Sequence, residues 1–238
     1  MKKLRLILLL SLACFLFFPI DAAYAKKGTQ VLVPDTVKDP HSKYTAKYES
    51  ANHSHCTAIL ISSTAAITAK HCGGNHRTSY NGTIYPGESG LSTPFGYMNI
   101  STYIPHPDPK YDIALLKGTE RDQSKAYKYY IKEFKTPVTG FSDQELSRFT
   151  KSQVYSYGYP SKYGGYKQYR SDGEIEYYIR SSLLFYTTLP TYEGQSGSGV
   201  FKKNGQFIGI IITRTQQYEG NVLPLTEDIA KWINDNAK

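Results

Sequence analysis

Hydrophobic residues along the chain fall in short runs rich in Val, Ile, Thr and Tyr, separated by clusters of Gly, Pro, Asn and Ser. The clearest are "CTAILIS", "AAITAK", "MNISTYI", "DIALLK", "QVYSYGY", "EIEYYIR", "LLFYTTL" and "GVFKKNGQFIGIIIT". Such runs, punctuated by turn residues, predict strands, and their recurrence predicts an all-β barrel or sandwich protein. Asn204-Gly205 lies between two of them and signals a hairpin, because both residues tolerate the positive φ of a tight turn. Helical periodicity is clear only at the end, in "LTEDIAKWINDNAK". There Thr226 is placed to cap the helix, acids follow in the first turn, and Ile229, Trp232 and Ile233 form an i, i+3, i+4 docking stripe. The polar stretch 118–148 reads as the connection between two halves.

The amino terminus does not fit this pattern. A basic start, an apolar run from Leu6 to Ile20, and small residues at Ala23 and Ala25 mark residues 1–25 as a secretory signal peptide, cleaved after Ala25. A lipoprotein reading at Cys14 is weak, since the apolar run continues past it. The leader's apolar core is short for a stable span and no later segment is long enough, so no membrane span is expected. The mature protein is expected to be secreted, extracellular or periplasmic. Losing Lys2, Lys3, Arg5 and Asp21 with the leader lowers the net charge from +8 to +6. No Lys/Arg block or nucleic-acid motif accompanies that charge, so no nucleic acid partner is expected.

Cys14 leaves with the leader, and Cys56 and Cys72 remain as one pair. In an exported chain the default for such a pair is a disulfide, which stabilises by roughly 3 kcal/mol. A rival reading gathers His53, His55, Cys56, His71, Cys72 and His76 around zinc, but their spacing matches no common zinc framework. No metal or organic cofactor is expected. The 22 tyrosines read first as strand residues with an apolar body and a wet hydroxyl, and second as an aromatic surface for glycan or peptide.

Three residues suggest chemistry. "TYEGQSGSGV" places Ser196 and Ser198 between glycines, either as a flexible loop or as the carrier of a nucleophile. "AAITAKHCGG" ends a strand-like run with His71 beside Cys72, and Asp112 opens the apolar run Ile113–Leu116. A partly buried carboxylate there can fix an imidazole's tautomer and stabilise the imidazolium that forms in a reaction. The order His, Asp, Ser separates families: α/β-hydrolases run Ser, acid, His, and subtilisin-type enzymes run Asp, His, Ser. The G-x-S-x-G elbow of the hydrolases is absent around both serines.

These stretches resemble the chymotrypsin-like serine proteases, and within them the bacterial glutamyl endopeptidases and exfoliative toxins. "CTAILISSTAAITAKHC" resembles the family's histidine segment, "HPDPKYDIALLK" its aspartate segment, and "TTLPTYEGQSGSGVF" its serine loop. "GQFIGIIIT" resembles the strand that pairs with substrate, and "LTEDIAKWI" the closing helix. The resemblance implies two six-stranded antiparallel β-barrels and a C-terminal α-helix. It implies His71, Asp112 and Ser196 as the catalytic residues, with the backbone N–H groups of Gly194 and Ser196 as the oxyanion hole. Pro190, Thr191 and Tyr192 then line one side of the substrate pocket, and Ile211, Ile212, Thr213 and Arg214 the other.

The implied organisation is a short propeptide over 26–30, an N-terminal barrel over 31–125 with His71 and Asp112, and a C-terminal barrel over 126–238 with Ser196. "VLVPD" resembles a mature start at Val31. The implied activity is a secreted, monomeric serine endopeptidase acting on protein or peptide substrates through an acyl-enzyme. The competing class is a non-catalytic binding module or adhesin on the same fold. No acid occupies the pocket-base position, Pro190, and Ile211 stands where glutamyl endopeptidases place a histidine. The pocket therefore leans to acidic or neutral side chains, with Arg214 available as a positive charge.

Overall fold

The computed structural model describes residues 27–238, so the predicted signal peptide and Cys14 lie outside the described residues. The first strand, β1 (Thr29–Leu32), belongs to the second of two antiparallel sheets. The first sheet comprises β2 (Thr45–Glu49), β3 (His55–Ser62), β4 (Ala65–Thr68), β5 (Thr83–Pro86), β6 (Met98–Asn99), β7 (Thr102–Pro105) and β8 (Ala114–Lys117). Its order is β6-β5-β2-β3-β4-β8-β7. β3 is buried from Cys56 to Ser62, which is why that run lacks the alternation of a half-exposed strand.

The second sheet adds β9 (Gln153–Gly158), β10 (Tyr169–Ile179), β11 (Leu184–Pro190), β12 (Gly199–Lys202), β13 (Phe207–Arg214) and β14 (Glu219–Pro224). β9 pairs back onto β10 and closes a six-stranded barrel, with β1 as an extra strand beside β10. The hairpin at Asn204-Gly205 forms as expected, with Gly205 at φ 85° between β12 and β13. The first sheet curls without closing, which departs from the expected second six-stranded barrel. At Ile100 the backbone turns to Asn81 and Gly82, so β6 and β7 do not pair with one another.

Four α-helices lie among the described residues: α1 (Lys70–Gly73), α2 (Lys125–Ile131), α3 (Asp143–Arg148) and α4 (Glu227–Asn236). The expected Thr226 cap is present, accepting from the Ile229 N–H, and Ile229 and Ile233 are buried. α2 and α3 lie in the stretch expected to be a plain connection. Both are short, but Ser142 and Glu145 form a capping box that the sequence displays openly. Two segments cross the expected boundary between halves. Tyr127 and Ile131 of α2 join the apolar core of the first sheet, while β1 pairs with the second. No helix among the described residues is long and apolar enough to cross a membrane.

Several tyrosines are interior residues. Tyr48, Tyr103, Tyr127, Tyr157 and Tyr159 are buried, and each hydroxyl has a partner: Asn81, Lys70 and Gly74, Ser63, Asp39 and Gln168 respectively. The apolar ring fills the core while the hydroxyl satisfies a backbone or side-chain group that burial would otherwise leave unpaired.

A charge cluster centred on a buried lysine stands at the seam between the sheets. Lys47, whose side chain is 1% exposed, lies 2.6 Å from Glu49 and 3.4 Å from Glu88, with its ammonium 3.8 Å from the Tyr166 ring. Burial pushes the Glu88 carboxyl up to about 7 against the pull of Lys47. A carboxyl raised in the folded state favours folding fully below its ordinary value of 4.5, and that contribution is lost as pH rises through about 7. Thermal melts of the wild type and Glu88→Gln should therefore diverge from about pH 5 to about pH 8, with the wild type losing stability relative to the variant. Parallel curves would contradict the burial of this group.

Candidate active site

His71 sits on the single turn of α1, which several interactions hold from below. Cys72 is bonded to Cys56 of β3. The Tyr103 hydroxyl reaches the Lys70 and Gly74 carbonyls, each at 2.8 Å. The buried Lys70 ammonium donates to the carbonyls of His106 (3.4 Å) and Asp108 (3.1 Å), tying α1 to the segment that leads into Asp112. That segment is propped in turn by rings, since His106 lies between Tyr111 and Trp232 of α4, each at 4.7 Å.

Within this frame the three expected residues meet. Asp112 Oδ2 is 2.7 Å from His71 Nδ1, and Oδ1 accepts the His71 backbone N–H at 2.9 Å. His71 Nε2 is 2.9 Å from Ser196 Oγ. The imidazole is half exposed, at 48%, so a ligand can reach it. Ser198 is buried behind the loop with its Oγ unpartnered, away from the imidazole. The Cys56 and Cys72 sulfurs are spent on each other and both His71 ring nitrogens are engaged, which leaves the zinc reading without its central ligands.

The serine loop is shaped by its backbone. Gly194 has φ +89°, and a Cβ there would overlap the Tyr159 carbonyl oxygen, so only glycine fits. The Glu193 carbonyl accepts from the Ser161 N–H at 2.7 Å, and the Gln195 carbonyl accepts from the Ser198 N–H at 3.0 Å. In a trans peptide the N–H points opposite to the C=O. The N–H groups of Gly194 and Ser196 are therefore turned away from those donors, and neither has an acceptor among the described residues.

Thr57, which the sequence did not single out, docks this loop on the first sheet. Its N–H donates to the Ser196 carbonyl (2.9 Å), and its Oγ1 donates to the Gly194 carbonyl (2.8 Å) and accepts from the Tyr159 N–H (3.2 Å). Nothing local in "CTAILIS" sets this threonine apart from other strand threonines.

Thr191, Tyr192, Ile211, Ile212, Thr213 and Arg214 line one cleft of about 540 Å³ together with Glu193 and the three residues above. Pro190 departs from expectation: it lines the neighbouring cavity, which shares Tyr192 with this cleft. Ile211 is clamped to the serine loop, donating to the Ser198 carbonyl and accepting from the Gly197 N–H. The Arg214 guanidinium packs 4.5 Å from the Tyr218 ring, with Nη2 3.7 Å from Glu193.

A family model for the trypsin-like peptidase domain matches residues 56–210. Among solved structures, a Glu endopeptidase in complex with MPD superposes with a TM-score of 0.69 at 19% identity, covering 90% of this chain and 99% of that one. The protease Anisep from Arthrobacter nicotinovorans superposes with a TM-score of 0.63 at 14% identity, covering 83% and 96%. No curated protein matches the chain. At these identities the structures share the fold, while the family model covers well over half of the sequence. The chain belongs to the trypsin-like peptidase family, as a serine endopeptidase of chymotrypsin-like fold.

Proposed function

We propose that this chain is an exported serine endopeptidase that cleaves protein or peptide substrates through an acyl-enzyme formed on Ser196. The observation that carries this reading is the unbroken line from Asp112 through His71 to Ser196 Oγ, beside two backbone N–H groups without acceptors. His71 takes the hydroxyl proton as Ser196 attacks the scissile carbonyl, and Asp112 holds the imidazole in the tautomer that presents a free Nε2. The N–H groups of Gly194 and Ser196 stabilise the negative charge that develops on the carbonyl oxygen. Protonated His71 then donates to the leaving amine, and water releases the acyl group by the reverse sequence.

Export rests on the leader-like residues 1–25 and fits the Cys56–Cys72 disulfide, which an oxidising compartment preserves. No acid occupies Pro190, the position that the resemblance gives as the pocket base, which argues against Lys or Arg at the cleaved bond and favours acidic or neutral side chains.

Labelling by a fluorophosphonate and hydrolysis of a peptide library test the assignment together. The wild type should be modified at Ser196 and active. Ser196→Ala should be unlabelled, with kcat lower by a factor on the order of 10⁴ or more. Labelling that survives in Ser196→Ala would end the assignment. Thr57→Val should stay folded yet lower kcat/KM by about tenfold or more, because the Gly194 carbonyl loses the donor that orients it. Unchanged kinetics in that variant would show that the loop is set without Thr57.

A further inference from the structure

The segment expected to be removed before Val31 is built into the second sheet. Thr29 pairs with Asp172 and Gln30 with Ser171. At Gly28 a Cβ would overlap the carbonyl oxygens of Thr188 and Asp172, so the chain is packed closely against β10 and β11 even before β1 begins. The Gln30 side chain reaches further. Its Nε2 lies 2.8 Å from Ser171 Oγ, 3.1 Å from the Pro190 carbonyl and 3.1 Å from Gln195 Oε1. Gln195 is fully buried, immediately precedes Ser196, and accepts the Tyr192 N–H on the same Oε1 at 2.9 Å.

The orientation of both amides follows from their neighbours. The Pro190 carbonyl only accepts, so the Gln30 atom facing it is the nitrogen. The Tyr192 N–H only donates, so the Gln195 atom facing it is the oxygen. A chain of hydrogen bonds therefore runs from β1 through Gln30 and Gln195 to Tyr192, crossing the back of the loop that presents Gly194 and Ser196. The same carboxamide braces Pro190, which lines the neighbouring cavity.

We infer that Gln30 is a positioning residue for the serine loop and that the active enzyme retains it, with its N-terminus no later than Gly28. The inference rests on the reading of Ser196 as nucleophile, and it replaces the expected start at Val31. Cleavage before Val31 would remove the amide donor to Gln195 Oε1 and leave Pro190 with Ser171 alone. Two of the four residues of β1 would be lost with it.

The experiment compares mature forms beginning at Lys26, Gly28 and Val31, together with Gln30→Leu in the Lys26 form. Each is titrated with a fluorophosphonate so that kcat is expressed per reactive serine, and KM is measured on one peptide substrate. The Lys26 and Gly28 forms should be equally active. The Val31 form and Gln30→Leu should lose about tenfold or more, mainly in kcat, the size expected for loss of a buried hydrogen bond that orients the loop. In a Gln195→Met background, Gln30→Leu should cost less than about twofold, because the two amides act as one unit. N-terminal sequencing of the active exported protein should begin no later than Gly28.

A Val31 form as active as the Lys26 form would overturn the inference and leave the protease reading intact, and so would effects of Gln30→Leu and Gln195→Met that simply multiply. If Gln30→Leu does not fold, the Val31 form and the sequencing still decide. Absence of labelling and hydrolysis in every form, the Lys26 form included, would sink the protease reading and this inference with it.

Discussion

The two halves of the proposed chemistry lie on different sheets, and one dipeptide holds them in register. Cys56 is covalently bonded to Cys72, the neighbour of His71, while Thr57 makes two hydrogen bonds to the serine loop and a third to Tyr159. A displacement of β3 relative to either partner would lengthen the 2.9 Å contact between His71 and Ser196, which weakens steeply with distance and angle. Thr57 itself is fixed from the other side, since its carbonyl accepts the Thr68 hydroxyl on β4. Adjacent residues in one strand point to opposite faces, so Cys56 and Thr57 can serve the two elements at once.

The carboxylate is held by a different device. Asp112 receives both a ring nitrogen and the backbone N–H of the same residue, His71, so the carboxylate and imidazole form a closed pair that leaves Nε2 free for the serine. The backbone bond and the Lys70 bridge to His106 and Asp108 position the carboxylate. Lys70 satisfies its buried charge on carbonyl oxygens, and both Asp112 oxygens are left for His71. This suits a group whose task is to stabilise an imidazolium, because a second cation on the carboxylate would compete for it.

What the sequence revealed and what it hid divide along a physical line. His71, Asp112 and Ser196 were readable because each sits in a local motif and their order is diagnostic. The Cys56–Cys72 bond, the Thr226 cap and the Asn204-Gly205 hairpin were readable because they depend on near neighbours or simple arithmetic. Thr57, Lys70, Tyr103 and Gln30 were not, because their roles depend on partners 29 to 165 positions away and their residue types are ordinary where they stand. The pairing of β1 was hidden for the same reason: a four-residue strand carries no record of which sheet it will join. The open first sheet reflects a choice made by backbone groups at Ile100, which hydrophobic patterning cannot encode.

At the mouth of the cleft one charge is held in place while its partner is solvated. Arg214 is held against the Tyr218 ring, while its ionic partner Glu193 is 82% exposed and 3.7 Å away. A long ion pair with one member in open solvent contributes little, so Glu193 anchors the guanidinium weakly. The Tyr218 ring, 4.5 Å from the guanidinium carbon, does more to place it. An acidic side chain bound in the cleft would compete for the guanidinium's donors with the solvated Glu193 carboxylate and the Thr215 carbonyl. A lysine or arginine would meet that positive charge, while the cleft's two acids, Asp112 and Glu193, are already engaged with His71 and Arg214. The placing of the positive charge at the cleft thus comes from the unequal anchoring of two charges, a property of the folded surface that neither residue displays in the sequence.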